Sequence, residues 1–295
     1  MYRTWVIARH TFVEAVSQPI YSLLLGLAAA LLVVFMFLPF FTLGEDTVMY
    51  KSVGLDIAIV LVLITTLFAT SRSIHEEIED RTMLTLMSKP VSRLEVLLGK
   101  YLGLSASALL AMLLLGGLLC LCTWWRIPTD YAINNRSIDD REFIRLSALR
   151  SQHLAGLYPS LLLAWLQVSV LAAVSVAIST RFSLVVNLPA VLMIYIAGNL
   201  TRFLDAALAD SSAVTHAVGS GLATVLPFLE VFDLRQYAVY GQIGIGDGAA
   251  SGAASLGFIW QNTALATLYA GFYVSFALAV GLLIFRNREL GGNEG

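Results

Sequence analysis

Charge is what this sequence has least of. Lysine, arginine, aspartate and glutamate make up 13% of the 295 residues, against the roughly 25% that soluble domains use to cover their surface. A chain so composed does not clothe a water-soluble globule. Its net charge of −2 leaves no cationic excess to attract a nucleic acid, so no such partner is expected. Cysteine is scarce too. Cys120 and Cys122 are two residues apart in an apolar run, a spacing that points them in different directions on a helix. That argues against a mutual disulfide, and the pair lacks further ligands for a metal; they read as small packing residues.

The usual signatures of catalysis and nucleotide binding are missing as well. No G-x-x-x-x-G-K-S/T loop occurs, so the sequence offers no P-loop for a nucleotide. HEEIE, His75–Glu79, lacks the second histidine of a zinc-binding HExxH helix. GIGDG at Gly244–Gly248 has neither a preceding strand pattern nor the Lys-Ser/Thr ending and reads as a loop. His153 and His216 stand alone, and the triplets at Asn135 and Asn199 are short enough to recur by chance. Inside the apolar runs the ionisable residues are few: Asp56 near the start of the second, Arg202 and Asp205 at the end of the fifth. A proton- or sodium-driven carrier buries carboxylates near the bilayer midplane. This chain does not, so energy for any movement must come from elsewhere.

What it has is long hydrophobic stretches. Mean hydropathy is +0.79, and six runs approach the ~20 residues a spanning helix needs: Ile20–Phe41, Leu55–Thr70, Tyr101–Thr123, Leu157–Ile178, Leu184–Leu200 and Thr263–Phe285. The second and fifth are short. The sequence therefore predicts an all-α integral membrane protein with six transmembrane helices, one transmembrane domain over 1–295. An even number of spans puts both termini on one side. Arg3, Arg9, Arg72, Arg81, Lys89, Arg93, Lys100, Arg181, Arg286 and Arg288, more than half of the 18 basic residues, share that side, which makes it the cytoplasmic one of a cell membrane. Loops 125–156 and 203–260 are then extracytoplasmic.

Residues 2–18 place Trp5, Phe12, Val13 and Val16 on one arc and Arg3, His10, Glu14 and Ser17 on another. This pattern predicts a helix lying in the lipid headgroups, with Arg9 snorkelling from its edge and Pro19 turning the chain into the bilayer. Residues 212–232 are apolar but broken by His216, Gly219, Gly221, Pro227 and Glu230. They read as a re-entrant or surface element, the alternative being a seventh span with the termini on opposite sides.

One dense polar patch interrupts this pattern: EDRTMLTLMSKPVSRLEVLLGK, Glu79–Lys100. On a helix continuing from the second span, Ile74, Ile78, Thr82 and Thr85 form one stripe and Met83, Leu86 and Met87 another. A surface helix needs a single apolar stripe. The proline after Lys89 breaks the helix, Ser92 and Glu95 have the spacing of a capping box, and Gly99 and Gly103 form a small-xxx-small pair that admits a close helix. Residues alone leave two readings open, a docking surface for a partner protein and an ordinary cytoplasmic hairpin.

The pattern E-D-R-T-x-x-x-L-x-x-K-P-V-S-R-x-E-x-L-L-G-K resembles the cytoplasmic segment between the second and third spans of type-2 ABC (ATP-binding cassette) exporter permeases. PFLEVFDLRQYAVYG, Pro227–Gly241, and the final FRNREL look like the subgroup labelled permeases of multicopper-enzyme maturation. The resemblance implies six spans, an N-terminal interfacial helix, a re-entrant element before the last span and a dimeric core formed with a second copy or a homologous permease. It further implies that Glu79–Ser88 is a coupling helix seated in a groove of separate ABC ATPase subunits, with Glu79, Arg81, Thr82, Met83, Leu84, Leu86, Lys89, Pro90 and Arg93 in or beside it. Arg181, in the turn Ser179–Phe182, would make a second, smaller contact. Membrane lipids and an extracytoplasmic protein complete the expected partners. DDREFIRLSALR in loop 125–156 is longer and more charged than the family pattern and marks a system-specific part. No Cys, His or Met cluster supports a metal substrate. The competing function is a non-transport scaffold or force-transmitting assembly factor docking a cytoplasmic partner through the same patch.

Overall fold

The computed structural model describes residues 2–38, 46–79, 92–134, 140–200, 227–235, 239 and 256–286. Every regular element among them is helical. In chain order these are α1 (Tyr2–Ser17), α2 (Pro19–Phe37), α3 (Asp46–Ser71), α4 (Arg93–Asn134), α5 (Asp140–Ser179), α6 (Leu184–Asn199) and α7 (Leu256–Arg286). Beyond Ser71 the third helix continues through a π-helical turn, Arg72–Glu76, into Glu77–Glu79. A single 3-10 turn, Leu229–Phe232, precedes α7.

Among the described residues five helices are long and apolar enough to cross a membrane: Pro19–Phe37, Thr47–Glu79, Arg93–Ile127, Arg150–Ser179 and Gly257–Arg286. The remaining expected span, the fifth in chain order, is α6; it has 16 residues, about 24 Å at ~1.5 Å per residue, and falls short of the ~30 Å hydrocarbon core.

Local signals end the helices where chemistry requires it. Pro19 begins α2, where its missing N–H costs nothing. At the start of α4 the Ser92 N–H donates to Glu95 Oε2 at 2.9 Å and the Glu95 N–H donates back to Ser92 Oγ at 3.2 Å. This is the reciprocal capping box expected from the sequence.

Burial ranks the helices. In the apolar window of α5 72% of residues are buried, against 17% in α2 and 28% in the last helix. Thus α5 is the central post, while α2 and α7 leave most of their apolar surface to lipid or another subunit. One hydrophobic cluster joins α2, α3, α4, α5 and the turn residues Leu229 and Phe232. A second, at the other end, joins Ala15 of α1, Ile74, Leu97, Leu104, Val176 and Phe285.

The helix α1 lies along α4, and the small-xxx-small pair is the reason. A methyl group at Gly99 would stand 2.8 Å from Ile7 Cβ, and one at Gly103 2.5 Å from the Ala8 carbonyl oxygen. Only glycine allows two backbones this close. The face of α1 that meets α4 carries Ala8, Thr11 and Ala15, all buried. The arc expected to be the apolar face is outermost at two positions, with Trp5 68% and Val13 53% exposed. Small residues face protein and large ones face outward, as fits a helix lying in headgroups.

Several boundaries differ from the sequence reading. The second helix begins at Asp46 rather than near Leu55, because Lys51 and Ser52, which look like loop residues, are buried. Much of the expected loop 125–156 is helical, since α4 runs to Asn134 and α5 starts at Asp140. Of the interrupted segment 212–232, residues 212–226 lie outside the described residues; its end is the turn at Leu229, which is wholly buried.

Candidate functional site

The charged residues that survive burial, Lys51, Lys100 and Arg126, gather at the two ends of the bundle. At the end that carries α1, the third helix loosens as it leaves the core. Thr65, Thr66 and Thr70 turn their hydroxyls back onto the carbonyls of Leu61, Val62 and Thr66 at 2.6–2.7 Å, a bond that tends to bend helices. The π turn Arg72–Glu76 follows directly; such turns concentrate at functional sites.

There Lys100 of α4 is 3% exposed. Its ammonium pairs with Glu77 Oε2 at 2.7 Å and donates to Ser73 Oγ at 3.1 Å and to the Ser73 carbonyl. A buried lysine needs such a set of acceptors, since an unpaired charge is costly away from water. Glu14 of α1 faces the same group of charges. Burial pushes its carboxyl above the ordinary range; the Lys100 charge opposes this and Glu77 reinforces it, with His10 and Arg72 acting more weakly to lower it. Its Oε2 is buried and has no hydrogen-bond partner among the described residues. Three helices therefore meet at one knot of charge.

This knot sits at both roots of segment 80–91. Glu77 lies just before that segment and Lys100 shortly after. Glu79 itself is exposed and lies 3.5 Å from His75 Nε2, and Arg72 lies 3.7 Å from Glu76 on an equally exposed surface; such surface pairs contribute little. Arg93 is engaged from the other side. Its guanidinium donates to the carbonyls of Phe285 and Arg286 at 2.8 Å each and lies 5.4 Å from the Phe285 ring. It closes the C-terminal end of α7, where a cation complements the helix dipole. Arg181 is exposed in the turn between α5 and α6, and that turn is held by a buried bond from Asn187 Nδ2 to Ser175 Oγ at 2.8 Å. Arg81, Thr82, Met83, Leu84, Leu86, Lys89 and Pro90 lie outside the described residues.

Sequence reasoning counted Lys100 only as a topological charge and Glu14 only as part of a polar arc. Neither carried a signal of its partner. Their juxtaposition comes from the glycine pair that lays α1 on α4, which was legible, although the identity of the approaching helix was not.

At the opposite end the pairing is different. Arg126 donates to the carbonyls of Phe35, Met36 and Leu38 at 2.8–3.1 Å, satisfying the last orphan acceptors of α2. Asp56 meets Arg235 at 2.6 Å, which ties the segment before α7 to α3. Lys51 Nζ lies 2.9 Å from His153 Nδ1 and donates to the Val239 carbonyl at 3.3 Å. The uncharged middle of the helices thus separates two charged girdles.

A raised Glu14 carboxyl makes a pH prediction. The folded state holds the proton more tightly than the unfolded state, so folding is favoured at acid pH. This contribution is lost as pH rises from the ordinary carboxylate value of 4.5 through the raised folded value. Thermal unfolding in detergent should show stability falling over that interval. Glu14→Gln, which keeps shape and drops the charge, should flatten the slope and raise the midpoint at neutral pH. Identical slopes for the two proteins would remove Glu14 from this role.

Helices of this length and apolarity, with polar girdles at their ends, define a multi-pass membrane protein. The chain matches the family described as ABC-2 family transporter protein over residues 7–290, and it belongs to that family. It is therefore a transmembrane permease component of ABC transport. No curated protein matches it significantly.

Proposed function

We propose that the chain is the permease subunit of a type-2 ABC exporter, similar to the multicopper-enzyme-maturation subgroup and driven by separate ATPase subunits that bind ATP and magnesium. In this reading α6 is the fifth of six spans, both termini are cytoplasmic, and the protein lies in the inner or plasma membrane. Two permease chains, identical or homologous, form the pathway between them. The sparsely buried α2 and α7 support such pairing. Residues 79–88 form the coupling helix, and Arg181 touches the ATPase at a second point.

The observation that supports this best is the Glu77–Lys100–Glu14 knot. It ties both roots of segment 80–91 to each other and to α1, so a push on that segment is delivered to three helices at once.

The test is co-purification of an ABC ATPase with this chain. Met83→Asp and Leu86→Asp should each abolish its recovery at matched membrane levels, because an aspartate enclosed in the partner's groove loses its water with nothing to offset the penalty. Arg81→Glu should weaken recovery only mildly, since a rim pair is worth about 0–1 kcal/mol. Undiminished recovery with both aspartate variants would end the coupling-helix reading.

One feature favours a force-transmitting variant with an extracytoplasmic partner. The 42 residues of α4 and 40 of α5 reach about 63 and 60 Å at ~1.5 Å per residue, twice the ~30 Å of the hydrocarbon core. Motion of the spans would be carried well beyond the bilayer.

A further inference from the structure

A furrow runs along the seam between α4 and α5. Its inner compartment, about 810 Å³, lies beneath α1, with Tyr101, Ser105 and Ser169 in its lining, Gly271 of α7 on its far wall and Arg9 at its edge. A second compartment of about 430 Å³ continues outward from Leu109 and Trp165, which line both, to Gly117 and Cys120. From Tyr101 to Cys120 the distance along α4 is about 28 Å at ~1.5 Å per residue. That nearly equals the ~30 Å thickness of a bilayer's hydrocarbon core.

The furrow is graded along its length. At the α1 end Arg9 is exposed and presents a cation at the level of the headgroups. Deeper, three hydroxyls form a chain: Tyr101 to Ser169 and Ser105 to Ser169, each at 2.8 Å. The Trp165 indole donates to the Ser105 carbonyl at 3.2 Å. The three hydroxyls thus converge at one point of the furrow's lining. Beyond that level the lining is apolar as far as Cys120. Gly271 and Gly117 keep the channel open, for a methyl group added at either would meet no atom within 4 Å.

An anion at one end, a hydrogen-bond acceptor one step in and a long thin hydrocarbon beyond describe one chemical class. We infer that the furrow binds a single anionic glycerophospholipid of the bilayer. Its phosphate sits on Arg9, an ester carbonyl accepts from the Tyr101–Ser105–Ser169 hydroxyls, and one acyl chain runs past Leu109 and Trp165 toward Gly117. Compartments of a few hundred Å³ lined by apolar residues with a few convergent polar groups are the usual form of small-molecule sites. The inference stands on the packing of α1, α4, α5 and α7 and does not depend on an ATPase partner.

The test titrates delipidated, detergent-purified protein with palmitoyl-oleoyl-phosphatidylglycerol and reads bound lipid by native mass spectrometry. Wild type should retain one lipid well above the weaker adducts. Gly271→Phe places a ring in the furrow without a clash at Cβ and should weaken that adduct about tenfold or more, as overfilled space no longer admits the chain. Arg9→Gln should weaken it about fivefold, the effect of one basic residue near an anionic surface. Gly26→Phe is the control: it lies on α2, outside the furrow, in equally open surroundings, and should change nothing. Full retention by Gly271→Phe or by Arg9→Gln would overturn the assignment. So would equal loss in Gly26→Phe, or a Gly271→Phe effect confined to oligomeric state, which would make a second copy the occupant.

Discussion

Gly103→Leu should lift α1 off the bundle. The Cβ alone would stand 2.5 Å from the Ala8 carbonyl oxygen, 2.7 Å from Thr11 Cβ and 3.0 Å from the Phe12 nitrogen. Two of these are backbone atoms that cannot move aside without moving the helix. Overpacking in a well-filled site costs about 1–3 kcal/mol, and a clash with main chain belongs at or above the top of that range. The measurement is labelling of Ala8→Cys, a position 5% exposed in the intact fold, with a water-soluble maleimide. Labelling should be slow with glycine at 103 and fast with leucine. Gly117→Leu makes the same chemical change in the same helix where no atom lies within 4 Å, and should leave labelling slow. Equal protection in all three proteins would mean that α1 is not seated on α4.

Lys100→Met should be the most damaging single change at the charged end. Breaking a buried pair from one side costs about 3–5 kcal/mol because the remaining charge loses its partner. Here the low end applies, since the Glu77 side chain is 27% exposed and regains some water. Chemical unfolding in mild detergent should detect it. Adding Glu77→Gln to Lys100→Met should recover a large part of the loss, as two neutral groups replace one stranded carboxylate. A double variant no better than the single one would show that the ammonium acts through the Ser73 carbonyl alone.

The sequence was readable wherever the cause was local. Ser92 and Glu95 are three residues apart and bond to each other, Pro19 acts on its own helix, and the turn Ser179–Phe182 is short enough to see. Gly99 and Gly103 announced a close helix from their spacing alone. What spacing could not supply was the partner. Arg126 reaches the end of α2 about 90 residues away, Arg93 reaches Phe285, and Lys100 reaches Glu77; none of these pairings leaves a period or a motif. Lys51 shows the same limit from the other side. In the sequence it looks like a water-exposed loop residue that ends a span, yet His153 and the Val239 carbonyl accommodate it inside, and the helix runs on through it. On α1 the contact with α4 is made by Ala8, Thr11 and Ala15, because a glycine-floored neighbour lets the smallest residues come closest.

The π turn at Arg72–Glu76 has one more effect. A π turn closes its hydrogen bonds one residue further on than an α turn, so it resets the angular phase of everything that follows. Each added residue rotates the chain by about 100° and advances it ~1.5 Å. The stripe drawn through Ile74 and Ile78 assumes an unbroken wheel that α3 does not provide. The faces on which Ile78 and Glu79 fall are thus set by the extra residue. Removing it would turn both by more than a quarter of a circle relative to α3.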